Sequence, residues 1–265
     1  MLGSSPRPVG VLLRDWRQRR RLSQLGLALE ADISSRHVSF LETGRAQPSR
    51  AMILHLAERL DVPLRERNTL LVAAGFAPVY PERPLDDPAL QAARAAVDLV
   101  LAGHEPYPAL ALDRHWQLVA ANRAVAPLLQ GVRPDLLAPP VNVLRLSLHP
   151  AGLAPRIANL AAWRAHLLSR LGHQVEVSAD PVLARLLDEL TSLPGPAGEP
   201  PEPPAAGAAI AVPLRLRSPI GELSLLSTTM VFGTAVDITL AELAVEAFFP
   251  ADDATADALR RLARD

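Results

Sequence analysis

Residues 22–44 read LSQLGLALEADISSRHVSFLETG, which is the pattern of two short helices joined by a tight turn. The apolar residues of each helix recur at the spacing that places them on one face. Ser23 and Ser34 stand where the two helices begin, because a serine hydroxyl accepts hydrogen bonds from the free amides of a first turn. The stretch therefore predicts a helix-turn-helix. Its inward residues are Leu27, Ala28 and Ala31 on the first helix, with Val38 and Leu41 on the second.

The second helix has a polar face that is left without a core to pack on. Ser35, Arg36, His37 and Ser39 occupy this face, and we expect it to contact another molecule. Asp32 lies at the bend before the helix, where a short polar side chain tolerates a left-handed backbone. The alternative is that Arg36 and His37 only solvate the helix surface, as most exposed charged side chains do.

Length and composition exclude several classes of protein. The chain has 265 residues, enough for about two domains, and with 49% apolar residues it can bury a core. It has no cysteine, which excludes a disulfide framework, thiolate metal sites and a cysteine nucleophile. No apolar run approaches the roughly 18–20 residues of a membrane span, and the first ten residues lack the form of a signal peptide. We therefore expect a cytoplasmic protein that does not enter a membrane.

Charge is distributed unevenly along the chain. Residues 1–75 carry 12 arginines and 7 acidic residues, a net charge of +5. Residues 76–265 carry 15 arginines and 21 acidic residues, a net charge of -6. The basic first segment favours contact with phosphate at one end of the molecule.

Helical patterns on both sides of the quoted stretch predict a domain of five short helices over residues 8–78. The letters from 22 to 49 resemble the DNA-binding domain of the Cro/C1 (XRE) helix-turn-helix family, whose recognition helix ends in Glu, a Gly-containing turn and Pro-Ser. Glu42, Gly44 and the pair Pro48-Ser49 stand at those positions. The resemblance implies an all-α, lambda-repressor-like fold that binds a double-stranded DNA operator.

The residues expected to touch DNA follow from the chemistry of base edges and from that resemblance. An arginine on a helix in the major groove can contact O6 and N7 of a guanine, and Arg36 is the candidate. The resemblance places Gln24 on a phosphate, while Arg45 and Arg50 are candidates for further backbone contacts. The DNA-binding set is Gln24, Ser34, Ser35, Arg36, His37, Ser39, Arg45 and Arg50.

A proline-rich junction follows the helical domain. Residues 77–88 hold four prolines, which resist both helix and sheet and mark a domain boundary. Asp87 then caps a helix that runs to Gly103. We assign residues 79–104 to a linker and connecting helix.

Residues 105–265 have the α+β order of a second domain with an antiparallel sheet. The order is that of PAS-like sensor domains, and the domain ends in a short amphipathic helix. The expected elements are strands at 108–113 and 116–121, helical segments at 122–131, 142–172 and 181–193, a loop at 194–207, and strands at 210–218, 221–230 and 236–249, with a hairpin turn at 219–221.

Several strings of this domain resemble the MmyB-like family of regulators, which pairs an XRE head with a PAS-like ligand-binding domain. Members of that family sense small apolar ligands, fatty acids among them. The resemblance implies a small apolar ligand for this chain, but not its identity. The matching residues are Trp116 with Asn122, the run 142–150 followed by Gly152 and Leu153, Asn159 with Trp163, and the run 231–250.

Residues 144–171 combine apolar side chains with interspersed polar ones, which is the usual composition of a small-molecule pocket. Arg145 and Arg170 are the candidate anchors, because arginine pairs two-pronged with a carboxylate. The alternative is that the apolar residues build core and the arginines point to water. The ligand-binding set is Arg145, Leu146, Leu148, His149, Ile157, Asn159, Leu160, Trp163, Leu167, Arg170 and Phe232.

The sequence shows no catalytic or metal-binding pattern. His166 and His173 lie seven residues apart without a third ligand at a useful spacing, so we predict neither a metal nor another cofactor. The favoured interpretation is a homodimeric, ligand-sensing transcription regulator that is not an enzyme. Two alternatives stay open: a second domain that serves only dimerisation or protein contact, and a DNA-tethered enzyme.

Overall fold

The computed structural model describes residues 7–195 and 212–264. The chain divides into two compact units. The helical unit comprises residues 1–83 and a later segment, 234–241, while the sheet unit comprises residues 84–233 and 242–265. The boundary between Arg83 and Pro84 lies inside the proline-rich junction.

The helical unit contains the five helices expected from the sequence, and its fold is confirmed. The bend residue Asp32 has a φ of 51°, the left-handed backbone expected there. Ser23, Ser34 and Ser49 cap three of the helices, each accepting a hydrogen bond from the amide three residues later at 2.9–3.2 Å. The helices are α1 (Val9–Arg19), α2 (Gln24–Glu30), α3 (Ser35–Glu42), α4 (Arg50–Arg59) and α5 (Leu64–Ala73).

The core of this unit fixes the position of α3. Val38 and Leu41 of α3 are buried with Leu27 of α2 and Leu13 of α1. Helix α1 comes close to α3 at Gly10, where a Cβ atom would lie 2.3 Å from the carbonyl oxygen of Leu41. The absence of a side chain at this position is therefore what allows the two helices to pack together.

The sheet unit is built on a five-stranded antiparallel sheet with strand order β2-β1-β5-β4-β3. This α+β arrangement confirms the PAS-like fold. The short connection between β3 and β4 confirms the hairpin turn, with Gly221 at a φ of 117°. The strands are β1 (Ala109–Leu112), β2 (Leu118–Ala121), β3 (Leu214–Ser218), β4 (Gly221–Val231) and β5 (Ala244–Pro250).

Helices cover both faces of this sheet. On one face, Val97 and Leu101 of α6 pack against small residues of β1 and β5. On the other face, leucines of α8 and α9 pack against Leu112, Leu214 and their neighbours. The helices of this unit are α6 (Gln91–Gly103), α7 (Val143–Leu148), α8 (Leu160–Ser178), α9 (Pro181–Ser192) and α11 (Asp253–Leu262).

Three expected elements differ in the structure. The strand expected at 236–249 is shorter in the structure, where only β5 is a strand. Its first part forms a short helix of the helical unit, α10 (Ile238–Ala241). Asp237 starts this helix by accepting a hydrogen bond from the Thr239 amide at 2.9 Å. The helix expected at 122–131 is a single 3-10 turn, Ala126–Leu129, since Pro127 cannot donate the helical hydrogen bond.

The third difference lies in residues 142–172, which form two helices, α7 and α8, instead of one continuous region. Pro150, Gly152 and Pro155 lie between them and disfavour a continuous helix. Most of the loop expected at 194–207 and the first two residues of the strand expected at 210–218 lie outside the described residues. Within the described part of the chain, no helix is both long enough and apolar enough to cross a bilayer.

Candidate nucleic-acid interface and ligand cavity

Helix α3 presents the polar residues that the sequence assigned to DNA. Ser35 and Arg36 are exposed, and His37 and Ser39 are half-buried. Ser34 precedes them and accepts the amide hydrogen of His37 at 3.1 Å, so its hydroxyl caps the helix. The arrangement leaves the first turn of α3 open to solvent.

Two of the predicted arginines meet at one aromatic ring of α3. The guanidinium carbon of Arg36 lies 5.1 Å from the centre of the Phe40 ring, and that of Arg45 lies 5.9 Å from it. Among the described residues, no carboxylate lies within ion-pair distance of either arginine or of the exposed Arg50 at the start of α4. These cations are therefore available to an anionic partner.

Behind this face lies a buried polar network centred on Glu42. Arg17 donates two hydrogen bonds to the Glu42 carboxylate, at 2.6 and 3.0 Å. The amide of Gln24 donates a third at 2.8 Å. The hydrogen bond to Glu42 raises the pKa of Arg17 above its ordinary value, against the effect of burial. Gln24 is thus tied to the end of α3.

The sheet unit contains an apolar cavity of about 110 Å³. It lies on the sheet face that α8 covers, and its wall includes the tryptophans Trp116 and Trp163. The polar side chains on its wall include Arg170, Glu246, Ser147 and Ser227. The apolar wall includes Leu110 and Leu112 of β1, Leu144 and Leu146 of α7, Leu167 of α8, Leu214 and Leu216 of β3, Leu225 of β4 and Phe248 of β5.

The structure brings four of the predicted ligand residues together in this wall: Leu146, Trp163, Leu167 and Arg170. Leu148, Ile157 and Leu160 belong to the surrounding apolar core. Phe232 packs against the apolar cluster on the opposite face of the sheet, which includes Val97 of α6.

Three predicted polar residues have structural partners outside the cavity. Asn159 holds strand β3, donating to the Pro213 carbonyl at 2.8 Å and accepting from the Arg215 amide at 3.1 Å. The Nδ1 atom of His149 accepts the Ala151 amide hydrogen at 3.0 Å. The third residue, Arg145, pairs with a carboxylate of α9.

Arg145 forms a surface ion pair. Its guanidinium donates two hydrogen bonds to Glu189, at 2.6 and 2.7 Å, and the side chains are 42% and 44% exposed. The hydrogen bond from Arg145 lowers the pKa of Glu189 below its ordinary value. The structure therefore places Arg145 away from the cavity, paired with a carboxylate of α9.

Arg170, in contrast, faces the cavity and is held from three sides. It donates to the carboxylate of Glu246 and, at 2.9 Å, to the hydroxyl of Thr229, and its guanidinium lies 4.6 Å from the Trp116 ring centre. The sequence analysis did not predict Glu246 as a cavity residue. A single acidic residue in the apolar strand AVEAFF is a signal that could have indicated it. Nearby, burial lowers the pKa of His166, with a further contribution from the positive charge of Arg170.

The described residues contain no cluster of three or more His, Asp or Glu side chains that could hold a metal ion. The charged and hydroxyl side chains of the cavity wall are Arg170, Glu246, Ser147 and Ser227.

Two family models match the chain. The MmyB-like transcription regulator ligand binding domain matches residues 93–262, more than half of the 265 residues. The chain belongs to the MmyB-like transcription regulators. A helix-turn-helix domain model matches residues 8–70 of this MmyB-like regulator, which include α3 and the network around Glu42. Both families are regulatory domains that bind DNA or a ligand, and neither is enzymatic.

No curated protein matches the MmyB-like regulator significantly. Among solved structures it is similar to one described as "Structure of an RNA-binding Light-Oxygen-Voltage Receptor", with 15% sequence identity and a TM-score of 0.26. The match covers 97% of this chain and 63% of the other, so the regulator spans less than two thirds of that structure.

Proposed function

We propose that this MmyB-like regulator is a homodimeric repressor whose sheet unit senses a small apolar or amphipathic molecule. Fatty acids are among the candidate ligands, since the family resemblance points to them. The observation that carries the proposal is that one chain holds both an exposed helix with unpaired arginines and an apolar cavity. The first suits anionic duplex DNA, and the second suits a ligand with little polar surface.

At the DNA, Arg36 reads a guanine in the major groove, with Ser35, His37 and Ser39 beside it. Gln24, Arg45 and Arg50 hold phosphates and set the docking angle. The ring of Phe40 supports this assignment, because it limits the directions in which Arg36 and Arg45 can point. A single α3 reads one half-site, so a two-fold dimer binds a palindrome with half-sites about one helical turn apart.

The connection between β4 and β5 supports coupling between ligand and operator. Segment 234–241 is part of the helical unit, where Asp237 pairs with Arg83 at 3.1 Å and the Ile238 amide donates to the Pro81 carbonyl at 2.9 Å. The chain then continues directly into β5, which carries Glu246 and Phe248 of the cavity wall. A shift of β5 on ligand binding would thus pull on a segment anchored in the DNA-binding unit.

Operator binding by Arg36→Ala tests the DNA part. An operator is first selected from a random duplex pool with the wild-type protein. We expect Arg36→Ala to lose about 1–3 kcal/mol of discrimination at one base pair, with an almost unchanged salt dependence. The matched control is Arg50→Ala, which should weaken all sequences alike and reduce the salt slope by about 1. A uniform weakening by Arg36→Ala would contradict the assignment of Arg36 to a base.

The ligand part is tested by filling the cavity. Leu167→Trp places a larger apolar side chain in the wall. We expect native mass spectrometry of wild-type protein to show a co-purifying small molecule that this variant lacks. An in vitro transcription assay with the selected operator should show repression by the wild-type protein. A ligand-free wild-type protein whose sheet unit only mediates dimerisation would contradict the sensing role.

A further inference from the structure

The polar end of the cavity carries two charges that cancel. Arg170 donates to the carboxylate of Glu246, and the Thr229 hydroxyl donates to the same carboxylate oxygen at 2.9 Å. The Glu246 side chain is only 5% exposed. Water therefore contributes little to holding its charge, and Arg170 and Thr229 supply the compensation.

The guanidinium of Arg170 is also fixed in place. It lies 4.6 Å from the ring centre of Trp116, whose indole nitrogen donates to Gln174 at 2.8 Å. Turning Arg170 toward a ligand would break its contacts with the ring, with Thr229 and with Glu246. Its positive charge is thus already paired with Glu246 when no ligand is bound.

The serine side chains on the cavity wall are uncharged. Ser147 accepts a hydrogen bond from the indole nitrogen of Trp163 at 3.0 Å and keeps its own hydroxyl hydrogen for another partner. The hydroxyl of Ser227 makes no hydrogen bond to any other described residue. Hydroxyl groups of this kind can bond a neutral alcohol, ester or amide.

From this charge balance we infer that the cavity selects a ligand without net charge, and this inference rests on the ligand-sensing role proposed above. A carboxylate would place a second buried anion beside Glu246 and compete with it for Arg170, whose single positive charge cannot neutralise both. An ammonium group would take Glu246 and leave Arg170 unpaired. A neutral molecule with one hydroxyl or carbonyl group disturbs neither charge. The ligand class is therefore a short-chain alcohol, ester or amide, and a fatty acid enters only in its uncharged form.

The volume limits the size of this ligand. An engineered apolar cavity of about 150 Å³ binds benzene, so a smaller cavity of about 110 Å³ suits the inner part of a chain of about six carbons. Six-carbon probes that differ only in charge are therefore the appropriate test. They are 1-hexanol, hexanoate and hexylammonium.

The experiment titrates the three probes into the full-length protein at pH 7.5. Two of the three tryptophans, Trp116 and Trp163, line the cavity, so intrinsic fluorescence reports binding. We expect 1-hexanol to bind at least about tenfold more tightly than either charged probe. Tighter binding of hexanoate or hexylammonium would overturn the inference and leave ligand sensing intact. Absence of binding by all three would overturn ligand sensing, and this inference with it.

A variant should remove the expected preference for the neutral probe over hexanoate. Glu246→Gln removes the anion and leaves Arg170 free to pair, so hexanoate affinity should rise at least about tenfold while 1-hexanol changes by less than about threefold. The matched control is Glu189→Gln, which frees the exposed Arg145 outside the cavity and should change neither affinity. Unchanged hexanoate affinity in a folded Glu246→Gln protein would overturn the inference. The wild-type probe series decides the question if that variant fails to fold.

Discussion

The arginines on the DNA-binding face and the arginine in the cavity have opposite environments. Arg36 and Arg45 flank an aromatic ring on the surface, with no carboxylate of the described residues beside them. Arg170 also lies over an aromatic ring, but the buried Glu246 neutralises it. A free guanidinium attracts an anion, whereas a compensated one contributes shape and hydrogen bonds. The comparison teaches that the electrostatic partner of an arginine, more than its residue type, decides what it can bind.

The largest expected effect comes from breaking a compensated pair inside the helical unit. Glu42→Ala leaves Arg17 buried without its counter-ion, so we expect the free energy of unfolding to fall by about 3–5 kcal/mol. Urea denaturation followed by circular dichroism measures the change. The control is Glu189→Ala at the exposed pair with Arg145, where about 0–1 kcal/mol is expected. Equal losses in the two variants would show that burial does not govern these pairs.

Two glycines allow the DNA-binding helix and the cavity to be disturbed separately. A Cβ atom at Gly10 would lie 2.3 Å from the Leu41 carbonyl oxygen of α3, and one at Gly152 would lie 2.3 Å from the Leu146 carbonyl oxygen beside the cavity. We expect Gly10→Ala and Gly152→Ala each to cost about 1–3 kcal/mol of stability, because a backbone segment must shift.

The two substitutions should affect different binding activities. Gly10→Ala should weaken operator binding and spare 1-hexanol binding, and Gly152→Ala should do the reverse. Fluorescence anisotropy with labelled operator and the tryptophan titration measure the two activities. Gly103→Ala at the end of α6 is the control, since nothing lies within 4 Å of its Cβ position. Loss of both activities in either variant would mean that the regions do not respond separately.

A smaller effect should follow from removing the ring between the free arginines. Phe40→Leu keeps an apolar side chain but removes the cation-π contacts with Arg36 and Arg45, worth about 0.5–1 kcal/mol at an exposed site. Operator affinity should fall about two- to fivefold, with little change in thermal stability. Phe40→Tyr retains the ring and should bind like the wild type. Full affinity in Phe40→Leu would show that the ring does not orient the arginines.

The smallest effect concerns a paired carboxylate outside the cavity, Asp180. Burial alone would raise its pKa, but hydrogen bonds from His115 at 2.9 Å and from the Val182 amide, with the charge of Arg114, lower it overall. A depressed pKa stabilises the fold above the unfolded value of about 3.9, and that stabilisation is lost as the pH falls through the folded pKa.

Asp180→Asn keeps an acceptor for Val182 without the charge. The difference in unfolding free energy between wild type and variant should therefore narrow as the pH falls from 7 to about 3.5. Urea denaturation at a series of pH values measures it. A difference that stays constant over this range would mean that the charge of Asp180 contributes nothing to stability.

The helical unit was predictable because its signals are local. Serines before apolar repeats and a short polar residue at the bend each act within a few residues. The ligand cavity was predictable only where its wall residues lie close together in the sequence. These residues belong to α7 and α8 and are Leu146, Trp163, Leu167 and Arg170. Its remaining walls come from strands far apart in the sequence.

The amino-acid sequence by itself determined the helix-turn-helix with its exposed polar face, the α+β order of the second domain and the family of the chain. Periodicity and capping depend on near neighbours, which a sequence displays directly. Only the tertiary structure decided which arginine is free and which is neutralised. The fold places Glu246 of β5 beside Arg170 of α8, although the two residues are 76 positions apart in the sequence. No local sequence pattern around either residue predicts that they pair.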